Sequence, residues 1–371
     1  MKNGLRIGIV GTGAMAEYHA RRFSAIEGVT VAAVVDRDPG RATVLAVKAG
    51  IPAIYHDVEE LAASGKADAV AISSRDLWHA ESSIEALARG LPVFCEKPMA
   101  RKVTEAEAML RAAEASGLGA LVNFSKRNGG LLALSRSIID SGEIGQVETA
   151  DFFYLQDWLH NDRWGDWRTS PRWQWRLDEE QSSHGALGDL GSHCVDAMLF
   201  LFGSASPRAA SSRRFMGQSS TEGRSEAGSE FSASALFDCG NVGATLSVSY
   251  GSRSSIDAFG FRLRGSLGDV VVNYDLSRDE LTLLSEDGSS SRRREAEKSP
   301  STYERFVSLA LSGADPLADD HVDFRRGLEV ARVVEALAAM ADLGGARDTG
   351  IRAGDEGLAS PEGSAVASTR P

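Results

Sequence analysis

An aspartate and a histidine four residues apart, and a lysine leaving an apolar run, are the residues of this sequence best placed to do chemistry. Asp189 and His193 lie in Gly185-Ala-Leu-Gly-Asp189-Leu-Gly-Ser-His193-Cys-Val-Asp196. The pattern predicts a helix running to about Phe202, with Leu190, Cys194, Ala197, Met198 and Leu201 as its apolar stripe. Asp189 and His193 then share one face, and Asp196 follows one turn on. A carboxylate beside an imidazole orients it and raises its pKa towards the range of a general base. A purely structural acid–histidine pair is the plain alternative. A metal would need a third ligand that is not evident, so no metal is expected. Lys97 closes Val93-Phe-Cys-Glu96-Lys97-Pro98. It lies at the end of an expected parallel strand, the edge where open α/β sheets bind ligands. There it meets a substrate oxygen, or it is a surface lysine at a strand end.

A second constellation opens the chain. The apolar run Leu5–Val10 leads into Gly11-Thr12-Gly13-Ala14-Met15-Ala16, and Asp36 closes the next apolar run, Val29–Val35. Gly11 allows a tight turn, Gly13 lets the backbone approach a pyrophosphate, and Ala16 lets the helix lie close to the sheet. Phosphates would sit on the helix N-terminus, where free N–H groups and the dipole favour negative charge. Asp36, about twenty residues past Ala16, is placed to hold both ribose hydroxyls. That favours NAD. Arg37 could stack on adenine or meet a 2′-phosphate, which keeps NADP possible.

These residues need elements to position them. Residues 1–124 alternate strand and helix: strands Leu5–Val10, Val29–Val35, Ala69–Ile72, Pro92–Cys95 and Gly119–Asn123, with helices Ala14–Ile26, Asp57–Ser64, Leu77–Ala88 and Thr104–Ala115. The expected fold class is α/β, an N-terminal Rossmann domain on a parallel sheet. Residues 125–345 change character. Gln146–Tyr154, Ser229–Asp238, Val242–Tyr250, Asp257–Arg264, Asp269–Tyr274 and Glu280–Leu284 read as strands. They predict a C-terminal α+β domain with a large, mostly antiparallel open sheet. In Val242–Tyr250 the apolar residues take one face and Gly243, Thr245, Ser247 and Ser249 the other, either an oligomer interface or a solvated face. Gly217–Ser229 and Glu286–Ser299 read as polar loops, His321 to about Leu343 as a helix, and 346–371 as a flexible tail.

With 371 residues, 43% hydrophobic and 25% charged, the chain reads as a soluble globular protein with room for two cores. A net charge of −12 argues against nucleic acid as a main partner. No apolar stretch approaches the ~20 residues of a membrane span, and no signal-peptide pattern is present. Cys95, Cys194 and Cys239 lack metal-type spacing and read as reduced thiols, so a cytoplasmic location is expected.

The glycine turn, Glu96-Lys97-Pro98 and the Asp189–His193 segment occur in the order and spacing of one family. Over nearly its whole length the chain resembles the glucose–fructose oxidoreductase / inositol dehydrogenase / rhizopine catabolism (Gfo/Idh/MocA) family. The resemblance implies hydride transfer between NAD(H) or NADP(H) and one carbinol of a sugar, sugar derivative or cyclitol. It also implies a homodimer or homotetramer built through the C-terminal sheet. Carried over by position, the family's lysine, aspartate and histidine fall on Lys97, Asp189 and His193. His193 would take the hydroxyl proton, Asp189 would orient the imidazole, and Lys97 would hold the reacting oxygen. Ser73, His79, Glu96 and Lys97 are placed beside the cofactor. The family's frequent Thr-Pro-Asn is replaced by Ser74-Arg75-Asp76, and His184 stands where a small residue is usual.

Five of six tryptophans fall between Trp158 and Trp175, among Asp, Asn and Arg residues. Aromatic faces pack on sugar C–H faces, and such tryptophans also anchor long loops. Trp158, Trp175 and Arg176 are candidate substrate contacts, as are Lys126 and Arg127 after the last Rossmann strand. An NAD-dependent glycosidase using transient oxidation and a non-catalytic dinucleotide-binding regulator are the rival readings.

Overall fold

Near-continuous apolar strands build a parallel sheet covered on both faces. In the computed structural model, which describes residues 4–162, 165–216, 227–253, 255–274, 280–315, 317, 320 and 322–343, the strands are β1 (Leu5–Val10), β2 (Val29–Val35), β3 (Ala53–Tyr55), β4 (Ala69–Ile72), β5 (Val93–Cys95) and β6 (Ala120–Val122). Their order is β3-β2-β1-β4-β5-β6, so the topological switch falls between β1 and β4. Gly11 follows β1 and Ser73 follows β4, which puts the glycine turn at that switch. Helices α1 (Ala14–Ser24), α2 (Pro39–Ala49), α3 (Val58–Ser64), α4 (His79–Ala88) and α5 (Val103–Ser116) make the crossovers. α2 and β3 are not among the elements expected from the sequence. Asp38 caps α2 by accepting from Gly40 N and Arg41 N, and Pro39 occupies its first turn.

The second sheet has eight strands: β7 (Val147–Gln156), β8 (Ser206–Met216), β9 (Ala227–Cys239), β10 (Val242–Ser249), β11 (Asp257–Gly265), β12 (Gly268–Asn273), β13 (Glu280–Ser285) and β14 (Ser291–Glu295). Its order is β14-β13-β12-β11-β7-β10-β9-β8, antiparallel except where β10 pairs with β7. β8 was not foreseen, and β14 lies within the segment read as a polar loop. Val242, Ala244, Leu246, Val248 and Tyr250 are buried, while Gly243, Thr245 and Ser247 are exposed, the alternation read from the sequence.

Helices α6 (Leu131–Asp140), the one-turn α7 (Pro171–Gln174), α8 (Ser192–Phe202), α9 (Thr302–Ser312) and α10 (Phe324–Leu343) complete the elements. α10 starts three residues after the expected His321, which is outside the described residues, as are 217–226 and the tail. α9, opened by a Ser301–Glu304 capping box, returns to the first sheet. Its Tyr303 and Phe306 pack on Phe23 and Phe94, so this late segment shares the N-terminal domain's core.

Candidate active site

A cleft of about 1890 Å³ runs from the glycine turn to the face of the second sheet. Gly11, Thr12, Gly13 and Met15 line one end, and Ala14 begins α1. Gly11 has φ +89, and a Cβ there would stand 2.7 Å from the Ser74 backbone. α1 carries no side-chain cap, which leaves its first-turn N–H groups to other acceptors. Asp36 Oδ2 accepts from Thr12 N (3.0 Å) and Thr12 Oγ1 (2.5 Å); Oδ1 accepts from Asp38 N and Arg41 Nη2. A glycine turn, an uncapped helix start and a fixed carboxylate fit a dinucleotide. Arg37 is occupied: its guanidinium lies 4.5 Å from the Trp78 ring and donates to Glu81 (2.9 Å).

Three residues expected beside the cofactor are also framework. Ser73 Oγ bonds back to the Val10 and Gly11 carbonyls. The Glu96 carboxylate accepts from Asn123 Nδ2 (2.6 Å) and Lys97 N (3.2 Å) and pairs with His19 Nε2 (3.1 Å), which fixes the Lys97 backbone. His79 is fully buried, with Nδ1 2.9 Å from Pro98 O and Nε2 3.1 Å from Ser74 O. Two carbonyls facing both nitrogens require the imidazolium. Burial opposes that charge, but Cys95, Asp76 and the Pro98 carbonyl push the pKa up to about 10.

At the other end of the cleft, Lys97, Asp189 and His193 come together. The expected helix begins instead as a π-turn over Leu187–Gly191, which α8 continues. Gly188 is required there: a Cβ would meet the Ser183 carbonyl at 1.6 Å. The i→i+5 coil changes the assumed register. Asp189 Oδ1 pairs with Lys97 Nζ, which also donates to the Asp189 carbonyl (3.1 Å). Asp189 Oδ2 accepts from Tyr250 Oη (3.0 Å), and Arg176 Nε lies 3.5 Å away. His193 Nδ1 is buried with no hydrogen-bond partner. Asp189 therefore serves Lys97, not the imidazole, which corrects the expectation from spacing.

The charges follow from these contacts. Burial works against the Asp189 carboxylate, but Lys97 and Arg176 hold its pKa far below the usual range. Burial likewise opposes the Lys97 ammonium, and Asp189 and Glu96 overcome it, raising its pKa. For His193, burial with Lys97 and Lys126 nearby depresses the pKa well below 6.5, and Asp189 only partly offsets them. The expected upward shift of the histidine is thus reversed. A neutral imidazole stands beside a protonated lysine.

Lys126 also lines the cleft, 4.5 Å from the Tyr154 ring and 3.8 Å from Asp257 Oδ2. Arg127, expected beside it, points the other way. It is buried, pairs with Asp196 (2.7 and 2.8 Å) and with Asp320, and is absent from the cleft lining. The 3₁₀ turn Ser125–Arg127 sends consecutive side chains in different directions. Trp158 lines the cleft but is 3% exposed, packed on Tyr250 at 4.7 Å. Trp175 and Trp173 flank Arg176 at 4.5 and 4.9 Å. Trp167 anchors the loop by donating to Leu159 O. His184 takes φ +56 in the preceding loop, away from the main cleft. The contact of Tyr250 with Asp189 is not among the expected ones, although a polar-tipped residue ending an apolar strand face is a usable signal.

The fold and cleft define a two-domain dinucleotide-binding protein. The sequence profile described as oxidoreductase family, NAD-binding Rossmann fold, matches residues 5–124, and that of the GFO/IDH/MocA C-terminal domain matches 133–271. The chain belongs to the Gfo/Idh/MocA oxidoreductase family, and NAD is the cofactor of its first domain. Levoglucosan dehydrogenase of Pseudarthrobacter phenanthrenivorans is 26% identical over 316 residues, covering 78% of each chain. Inositol 2-dehydrogenase of Burkholderia lata is 39% identical over 145 residues, 38% of this chain and 43% of that protein. A solved levoglucosan dehydrogenase in complex with NADH and levoglucosan shares the fold, with a TM-score of 0.79 at 21% identity, covering 92% of this chain and 98% of that one.

Proposed function

We propose that the chain is an NAD-dependent dehydrogenase that oxidises one carbinol of a sugar, sugar derivative or cyclitol. The observation that carries this reading is that Lys97, pinned by Asp189, and His193 line one cleft that starts at the glycine turn. Bound nicotinamide supplies the hydride acceptor. Lys97 has three N–H donors, and Asp189 Oδ1 and O take two. The third donates to the substrate oxygen and stabilises its developing negative charge. His193, neutral at physiological pH, accepts the hydroxyl proton. Tyr250 and Arg176 keep Asp189 charged, Trp158 backs Tyr250 from within the core, and Trp175 borders the space for a ring. Lys126 borders the same space as a hydroxyl or anion contact.

NAD rather than NADP follows from Asp36, whose charge opposes a 2′-phosphate. Assembly of copies through the second sheet is supported by the exposed small face of β10 and by Leu236 of β9, which is 54% exposed. A cytoplasmic site of action is supported by three buried free cysteines. The test is reduction of NAD or NADP with myo-inositol, levoglucosan, monosaccharides and aryl glycosides, with product analysis. Ketone and NADH in equal amounts are expected. Aglycone release without net NADH would instead identify a glycosidase, and no turnover of any probe a regulator.

A further inference from the structure

Asp76 is a buried carboxylate that this scheme leaves unused. It opens the turn Asp76–Trp78 between β4 and α4, is 6% exposed, and borders the cleft. Its Oδ2 accepts from Ser183 N at 3.1 Å, across 107 residues of chain. Neighbouring contacts reinforce this junction: Arg75 Nη1 donates to Gln181 Oε1 (2.5 Å), and Ser183 Oγ donates to Ala100 O (3.3 Å). Ser183 in turn abuts the Asp189 turn, since its carbonyl occupies the space a Cβ on Gly188 would need. The position of Ser183 therefore sets that of the π-turn. The charge of the buried His79 imidazolium, whose nitrogens face the Pro98 and Ser74 carbonyls, also acts on Asp76. The further charged or titratable groups acting on it are Arg176 from the turn after α7, Asp189 from the π-turn and Tyr250 at the end of β10.

We propose that Asp76 is a positioning residue for hydride transfer: its carboxylate ties the Ser183 main chain to the cofactor domain and so holds the turn that presents Asp189 to Lys97. The proposal rests on the dehydrogenase reading. It also carries a pH dependence. Burial, with a contribution from Asp189, pushes the Asp76 pKa up to about 6, against the opposing effects of His79, Arg176 and the Ser183 N–H. Above that pH the tie is charge-assisted; below it the carboxyl is neutral and the bond weakens.

The test compares Asp76→Asn and Asp76→Ala with the wild type on the probe that gives NADH fastest. Wild-type kcat is expected to fall as pH drops through about 6. Asp76→Asn keeps an acceptor but no charge, so its kcat at pH 8 is about five- to tenfold lower, flat through that window, and meets the wild-type curve below it. Asp76→Ala loses a further ~10-fold, while NADH affinity, read by fluorescence titration, changes less than about threefold. An inflection near pH 6 that persists in Asp76→Asn would overturn the proposal, as would Asp76→Ala matching the wild type. Hydrogen exchange at the Ser183 amide supplies a readout without turnover. At least ~10-fold faster exchange is expected in Asp76→Ala, and unchanged exchange overturns the tie even if no probe is oxidised. Failure of the wild type on every probe, with accelerated exchange in the variant, would remove the dehydrogenase reading and leave the tie standing.

Discussion

Replacing Asp189 with Asn separates two roles for this residue, because the shape is kept and only the charge is lost. The Asn oxygen can still accept from Lys97 while its amide nitrogen donates to Tyr250 Oη, but Lys97 loses its nearest counter-charge and faces Arg176 with only Glu96 opposing. Two unit charges about 4 Å apart attract by about 4 kcal/mol at an effective dielectric of ~20. At 1.36 kcal/mol per pKa unit, the alkaline limb of kcat/KM is expected to move down by about three pH units. Above that lowered limb the lysine is a neutral amine that donates poorly to the substrate oxygen, and loss of such a donor costs roughly 10²- to 10³-fold in kcat. The assay is the pH profile of NADH formation for both proteins, with NADH affinity measured alongside. An alkaline limb that stays in place while activity falls would refute the reasoning. It would return Asp189 to the imidazole, the role its spacing from His193 first suggested.

Other substitutions follow from the same geometry. Arg127→Met should leave Asp196 buried without its partner and cost about 3–5 kcal/mol in chemical denaturation, with substrate KM unchanged; a raised KM at full stability would put Arg127 back in the cleft. Asp36→Ser removes the charge and the Thr12 tie, and should weaken NAD relative to NADP by roughly tenfold or more in Kd titrations. The folded-state pKa of His79 is raised from 6.5 to about 10, so the stability it contributes is complete below about pH 6.5 and is lost as pH rises through about 10. Thermal unfolding of the wild type should show that decline, and His79→Gln should flatten it.

Features set by the local chain were readable in the sequence. The strand, glycine turn, helix and terminal Asp36 form one contiguous unit, and Lys97 was placed correctly because its strand is apolar and short. α2 was missed although Asp38-Pro39 is a helix-start signal, and β14 was missed because its arginines fit an exposed edge strand as readily as a loop. The partner of Asp189 was not legible. Which charge reaches it depends on where the Lys97 turn arrives from the other domain, and the π-turn altered the register that spacing assumed. Arg127 failed for a related reason, since its partners Asp196 and Asp320 are distant in sequence.

The central claim is that neutral His193 takes the proton as hydride leaves the substrate carbon. The direct measurement is NADH formation on the cyclitol and anhydrosugar probes by the wild type and by His193→Gln, with NADH affinity determined for both. The account predicts a 10²- to 10⁴-fold lower kcat in the variant, with cofactor affinity within about threefold. Wild-type rates in His193→Gln, or a loss explained wholly by lost cofactor binding, would contradict it.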